Sequence, residues 1–525
     1  MSKQGIVNII NFIRAVEPRN PELDLLEPVV NQIRLVEEHG LAATWLIQYD
    51  ALLESRFVDL LKNLDSMQEI GVWFEIPQQL VEKAGMKWRG RPGFSWDWHT
   101  DCGFSVGYTP AEREKLADIV MEDFKGVFGK YPASVGAWLI DAHLLGYLAD
   151  KYGVIASCNC KDQYGTDGYT MWGGYYNQAY YPSRRNAFMP AQHASEQIPI
   201  PIFRMLGSDP IYQYSVDPNA EAQGVVSLEP VYKDGGGSPD WIRWFFDVNY
   251  KAPSVSFGYA QVGQENSFGW EAMKDGLAYQ LEHISKLAGE GILRIESLED
   301  SAKWFKSEYE VTPASAITAL VDWKNERHKS VWYGSRFYRA NLYWEQDEFN
   351  IRDIHLFDET YQERYLTEVC TSHNAVYDTL PICDGFMWSD ESYAAGIRLV
   401  FTAADGSRRV LSGADPQVEE GGENLTVKWS EEDGTRVQVT CGPGSLDICV
   451  NPTVEGSSWL AEMTWAKAKN VPISQVDQDR IGYVHNGHSY EVVCLAGALS
   501  RGDDGTSIQV IPVSNSVSLG FEARA

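Results

Sequence analysis

The sequence predicts a seven- or eight-stranded parallel β/α barrel over residues 1–310, followed by an all-β antiparallel sandwich over residues 311–525. Three observations predict it. Strand and helix patterns alternate through the first 300 residues, which calls for βαβ crossovers and a parallel sheet. The periodicity changes near Thr312, and short runs of alternating polar and apolar residues follow. Asp405-Gly406 and Asp433-Gly434 lie between such runs, where hairpin turns belong.

Ile6–Ile10 reads as the first, short apolar strand. Leu25–His39 follows as a helix with Leu26, Val29, Val30, Ile33 and Val36 on one face, stopped by Gly40. Leu41–Ile47 and Gln68–Pro77 are the next strand patterns. Thr109-Pro-Ala-Glu112 is a capping box with Pro at the first helical position. It opens a helix carrying Leu116, Ile119, Val120, Phe124 and Val127 as its stripe. Ser134–Ile140 is a strand that runs into Asp141, and a helix through Leu144, Leu145 and Leu148 ends at Gly153, placed as its C-cap. Strands are expected near Val154–Ser157, Ile200–Leu206, Arg243–Asp247, Val255–Val262 and Ile292–Glu296, with helices over Trp270–Leu287 and Ser301–Tyr309. Val311–Ser315 reads as a linker, and the sandwich strands start near Ser330.

Three of the strand patterns end on carboxylates: Glu75, Asp141 and Glu265. The C-terminal ends of barrel strands are where such barrels build active sites. Helix capping is the competing explanation for Asp141; three acids at three strand ends are harder to account for that way. Apolar neighbours would desolvate Glu75 and raise its pKa. Glycoside hydrolysis needs two carboxyl groups flanking the bond, one protonated and one ionised.

The chain holds 18 Trp, 27 Tyr and 20 Phe, many set among polar residues, as in Phe94–His99, Met171–Tyr176 and Tyr180-Tyr181. Rings beside hydrogen-bonding groups suit sugars, although most of these aromatics should fill the core. A formal net charge of −29 argues against nucleic acid and anionic membrane as partners. The apolar start is too short and interrupted for a signal peptide, and no stretch of 18 apolar residues occurs. The eight cysteines lack metal-knuckle spacing and read as reduced thiols, so a cytoplasmic location is expected. The features are compatible with a homo-oligomer, and no cofactor is called for.

The barrel-plus-sandwich layout and three motifs resemble the glycoside hydrolase/deacetylase superfamily, which holds family 38 and family 57 glycoside hydrolases and the polysaccharide deacetylases. A bacterial group with the same two-domain layout resembles the chain more closely. Gly136-Ala-Trp138-Leu-Ile-Asp141 looks like the strand-four segment that carries the hydrolases' nucleophile. Glu69-Ile-Gly-Val-Trp-Phe-Glu75 lies where deacetylases have Glu-Ile-Gly before metal-binding histidines. Gly263–Trp270 is distantly similar to the family 57 acid/base segment. The chain departs from the pattern at its first strand, where Asn8, Asn11, Arg14, Glu17 and Arg19 replace the usual His and Asp residues. The histidine pair after the third strand is missing too. No metal site is therefore expected; a metal would have to use His99, Asp101 and His143.

The resemblance implies a glycosidase, retaining and acting on an α-linked sugar. Asp141 would be the nucleophile and Glu265 the acid/base, with Glu75 its rival. Arg14, Glu17, Trp96, Trp98, His99, Asp101, Trp138, His143, Trp172, Tyr175, Asn266 and Trp270 would line the sugar site. Arg14, Arg184 and Arg185 hint at an acidic substrate group, with surface salt bridges the competing account of the last two. The alternatives are a metal-dependent carbohydrate N-deacetylase and a non-catalytic sugar-binding protein on a degenerate barrel.

Overall fold

The structure, a computed structural model, describes residues 4–522 except 167–168, 215–225, 378, 392 and 503–504. Seven strands pair in parallel in the order Tyr259–Val262, Gly5–Ile13, Ala43–Ile47, Gln68–Trp73, Ser134–Gly136, Ala156–Cys160 and Ile202–Met205. An eighth, Leu293–Glu296, pairs with the lower half of the first strand, whose upper half pairs with the second. The sheet curls into an open barrel. Its two edges are bridged where Leu206 N–H donates to Gln261 Oε1 at 3.1 Å.

Alternation along the strands sends Ile6, Ile10, Phe12, Leu46, Trp73, Cys158, Phe203 and Tyr259 into the barrel. The helix Leu298–Glu308 closes the lower end, with Leu298 and Phe305 in that core. Helices such as Leu26–Glu38, Pro110–Phe128 and Trp270–Gly289 pack outside. The capping box at Thr109 forms, and Gly153 ends its helix in the left-handed region.

Two expectations of local structure differ. Arg243–Asp247 is not a strand but the middle of the helix Pro239–Tyr250, capped by Ser238. Its aromatic run suits a strand by propensity, yet Trp241 and Phe245 stack at 4.8 Å on one helical face. The strand after Lys130 stops at Gly136, and 137–140 is irregular backbone leading to Asp141.

From Ser315 onward the chain forms two antiparallel sheets of ten and eight strands. Gly406 and Gly434 take positive φ at the turns expected of them. The sheets meet through aromatic contacts: Phe349 with Trp429 at 4.8 Å and Tyr338 with Phe521 at 4.1 Å. No strand of this half enters the barrel sheet among the described residues. The segment read as a linker is docked instead: Thr312 is buried and accepts a hydrogen bond from Tyr181 N–H. No described helix is long and apolar enough to cross a membrane.

Candidate active site at the barrel mouth

The first strand places Ile10, Phe12 and then Arg14 on its inner face. Continuing the same alternation past their strands brings Gln48, Glu75 and Glu265 to the same level. Arg14 joins them. Its Nε and Nη2 form a fork onto Glu75 at 2.9 Å each, and Nε also reaches Gln48 at 3.1 Å. Its Nη1 donates to Glu265 Oε2 at 2.5 Å and to Ser267 Oγ at 3.1 Å. Trp96 lies against the guanidinium, 4.1 Å from ring centre to Cζ. Arg14 and Glu75 are each 1% exposed and Glu265 5%.

One buried cation thus serves two carboxylates. Burial pushes the Glu75 carboxyl above its usual range, against the pull of Arg14. Among the described residues, the hydrogen bond to Glu265 is on Oε2 and none is on Oε1. Asn266 braces the loop, taking Arg14 N–H on Oδ1 and donating to the carbonyls of Arg14 and Leu25. Asp50 accepts from the backbone of Ala15 and Val16, and burial pushes it up to about 7. Below this layer, Phe12, Trp73 and Trp138 form an aromatic shelf with centroids 4.1–5.4 Å apart, Trp138 being half-buried.

The other residues named from sequence separate into three groups. Asp141 does not face the mouth. It caps the helix Ala142–Tyr152 by accepting Leu144 N–H, and it pairs with Arg113 at 2.9 Å and Ser105 at 2.5 Å. Every oxygen accepts a hydrogen bond from protein, and the side chain is fully buried. Helix capping, the competing account, describes its position. Asp141→Asn keeps an acceptor for the cap but removes the charge facing Arg113. It is expected to cost about 2 kcal/mol of stability and leave the activity of the folded fraction intact, checked by urea unfolding beside initial rates.

Glu17, Trp98 and His99 lie in loops at the rim, and Asp101 in the short helix Thr100–Gly103. Trp98 is flanked by Arg19 at 4.7 Å and Arg91 at 4.0 Å, which occupy the ring faces that a sugar would use. Glu17 pairs with Arg19, which holds it below its usual range against the opposing effect of burial. His99 stacks on His373 at 4.0 Å, and His373 approaches Asp101 at 3.1 Å.

His143, Trp172, Tyr175, Trp270, Arg184 and Arg185 lie away from the Arg14 group. His143 bonds Glu114 on the outer helices, Tyr175 donates to Pro313 O in the core, and Trp172 donates to Asp384. Trp270 begins an outer helix. Arg184 pairs with Asp150 at the surface, and Arg185 is exposed. Sequence reasoning missed Gln48, Ser267, Arg113 and His373. Gln48 carried a usable signal, because it follows its strand as Arg14 follows the first.

Asp50 at about 7, and Glu363 pushed by burial and nearby Asp141 to about 8, both hold protons in the folded state that the unfolded chain has released. Their folded values are raised, so their contribution is complete below the unfolded carboxylate range and is lost as pH rises toward 7–8. The urea midpoint is therefore expected to fall between pH 5 and pH 7.

Comparison with solved structures shows a shared fold. A structure named as that of a glycoside hydrolase/deacetylase from Parabacteroides distasonis aligns with a TM-score of 0.51 at 14% identity, over 71% of this chain and 88% of that one. A structure named as a polysaccharide deacetylase from Mycobacterium smegmatis aligns at TM-score 0.37 and 11% identity, over 59% and 93%. A GH57-type branching enzyme from Pyrococcus horikoshii aligns at 0.32 and 9%, over 58% and 70%. Likenesses as low as the last two carry no argument. No family model matches the chain, and no curated protein matches it in sequence. The fold implied by the resemblance in sequence is the fold found.

Proposed function

We propose that the barrel mouth is the active site of a carbohydrate-active hydrolase that cleaves a glycosidic bond, with Glu75 and Glu265 as its two carboxyl groups. The carrying observation is the single guanidinium of Arg14 holding both carboxylates, one from each side of the first strand, in a buried layer at the strand ends. Such hydrolysis needs one carboxyl with raised proton affinity beside one that is ionised. Glu75 is raised by burial. Glu265 keeps one oxygen for substrate while Arg14 stabilises its charge. Gln48 Nε2 and Trp96 Nε1 are buried here without hydrogen bonds to protein. Unused donors above an aromatic shelf suit sugar hydroxyls and an apolar sugar face. A panel of aryl glycosides tests the reading: turnover that disappears in Glu265→Gln supports it.

The deacetylase alternative has one observation in its favour. His99, Asp101 and His373 offer ligand atoms within 4.8 Å of one another at the rim. The mouth itself does not fit a divalent metal, because Arg14 already supplies the cation between its carboxylates and no histidine stands at these strand ends. The two rim imidazoles also stack at 22°, so their lone pairs run side by side instead of converging. Chelator is expected to leave glycoside turnover unchanged. About one zinc per chain, with chelator-sensitive release of acetate from N-acetylated sugars, would transfer the function to the deacetylase reading. Sugar binding that survives Glu265→Gln with no turnover of any glycoside would leave the non-catalytic one.

A further inference from the structure

Where the barrel half meets both antiparallel sheets, the chain forms a cleft of about 580 Å³. Trp172 of the barrel half, His355 and Asp384 of the ten-stranded sheet, and Val484 of the eight-stranded sheet all line it. Among the described residues, none of the Arg14 group does.

The floor is a closed set of charges. His355 stands between Asp353 at 3.1 Å and Asp384 at 3.3 Å, all three buried. Burial lowers the imidazole's proton affinity and Arg339 adds to that; Asp353 and Asp384 outweigh both and hold it above its usual range. Arg339 forks onto Asp353 at 2.9 and 2.8 Å and also meets Asp162, which pairs with Arg204. Arg204, Arg339 and a protonated His355 therefore match Asp162, Asp353 and Asp384 charge for charge. Asp353, His355 and Asp384 offer ligand atoms within 4.8 Å of one another, but the donors do not suit a metal. Arg339 holds both oxygens of Asp353, and Asp384 accepts from Trp172 Nε1, Phe386 N–H and Met387 N–H. A floor whose charges are already matched favours a neutral ligand over an ion.

The walls narrow the ligand further. Trp172, Tyr377 and Trp388 bring three aromatic rings to the cleft, and Thr379, Asn470 and Asn486 add a hydroxyl and two amides. Val376, Met387 and Val484 line it as exposed apolar side chains. Arg364 also lines it, exposed to water that screens its charge. Rings beside groups that both donate and accept fit a molecule with hydroxyl edges and an apolar face. The volume lies within the usual range of a small-molecule site, about 300–1,000 Å³.

We propose that this cleft is a second site, binding a neutral sugar unit apart from the barrel mouth. The proposal goes beyond the reading of the mouth and does not need the mouth to be catalytic. Trp172, which the sequence placed in a sugar site, would meet a sugar here.

The experiment is calorimetric titration of the whole chain with maltotriose, cellotriose, mannotriose and glucuronate, with amide hydrogen exchange to locate the binding. A neutral trisaccharide is expected to bind and to slow exchange within residues 379–388 and 484–486. Val484→Arg and Met387→Arg each put a long charged side chain into the cleft from an exposed position. Each should weaken that binding about tenfold or more while Tm holds. Glu265→Gln should leave it unchanged. Protection confined to residues 14–17 and 265–268, or binding unchanged in both arginine variants, overturns the proposal and leaves the reading of the mouth standing. No binding of any neutral sugar, or glucuronate bound in preference to all of them, overturns it too. Cleft binding by a chain that turns over no glycoside would support the second site and sink the hydrolase reading.

Discussion

Glu265→Gln is expected to lower kcat on glycosides by about a hundred- to ten-thousandfold, the range for loss of a positioned acid or base, with sugar affinity nearly unchanged. Glu265 is the mouth carboxylate with an oxygen open to a ligand, and the amide replacement keeps its shape and can still accept from Arg14. Glu75→Gln should behave differently. Glu75 is the group whose proton affinity burial has raised. Its loss should slow glycosides with poor leaving groups far more than activated aryl ones, because only the former need protonation. Rates of both variants against leaving-group pKa separate the roles. The anomeric product seen by NMR separates retention from inversion. Equal and modest losses in both variants, uniform across leaving groups, would mean that the pair binds sugar without performing chemistry.

Arg14→Met should destabilise the protein by about 3–5 kcal/mol, the cost of breaking a buried pair by removing one partner. Two carboxylates would then share a dry layer with no cation. Glu75, already raised, would move further upward, because burial and repulsion from Glu265 both oppose its ionisation. The deficit should therefore be smaller at pH 5 than at pH 8, since protonation removes the stranded charge; urea unfolding at the two pH values reads this directly. Arg14→Lys should recover little. An ammonium is a compact charge and cannot hold Glu75 with a fork while reaching Glu265 from the other side. A variant with parent-like stability at pH 8 would show that the triad is not the keystone described above.

Much of this arrangement was legible in the sequence. Strand–helix alternation gave the barrel, and the change of period near Thr312 gave the antiparallel half, because both rest on the hydrophobic pattern that burial enforces. Arg14, Glu75 and Glu265 could be named because each follows an apolar strand, and strand ends of a barrel converge. Asp141 follows the same rule and yet failed. Its strand stops at Gly136, and four irregular residues turn the carboxylate into the cap of the next helix. Nothing in local pattern distinguishes a strand that ends early. His373 lay beyond reach for another reason: it meets His99 from 274 positions away, and contacts at that separation are written in the fold and in no motif. The helix Pro239–Tyr250 was lost because aromatic residues favour strands by propensity, while packing decided for the helix.

The docked segment around Thr312 bears on how such a chain can be inherited. Arg113 of the barrel donates to the carbonyls of Tyr365 and Glu368, Val106 accepts from Cys370 N–H, and Glu363 accepts from the backbone of Ala142 and Ala187. The strand Ala375–Val376 lies parallel to Tyr169–Met171. These bonds tie helices and loops of the barrel half to a stretch of chain 176 or more positions away. A recombination event that cut at residue 310 and exchanged the β-rich half would remove these hydrogen-bond partners from Arg113, Val106, Ala142 and Ala187. Two pieces that look like interchangeable cassettes on paper must therefore descend together, and their histories should agree branch by branch.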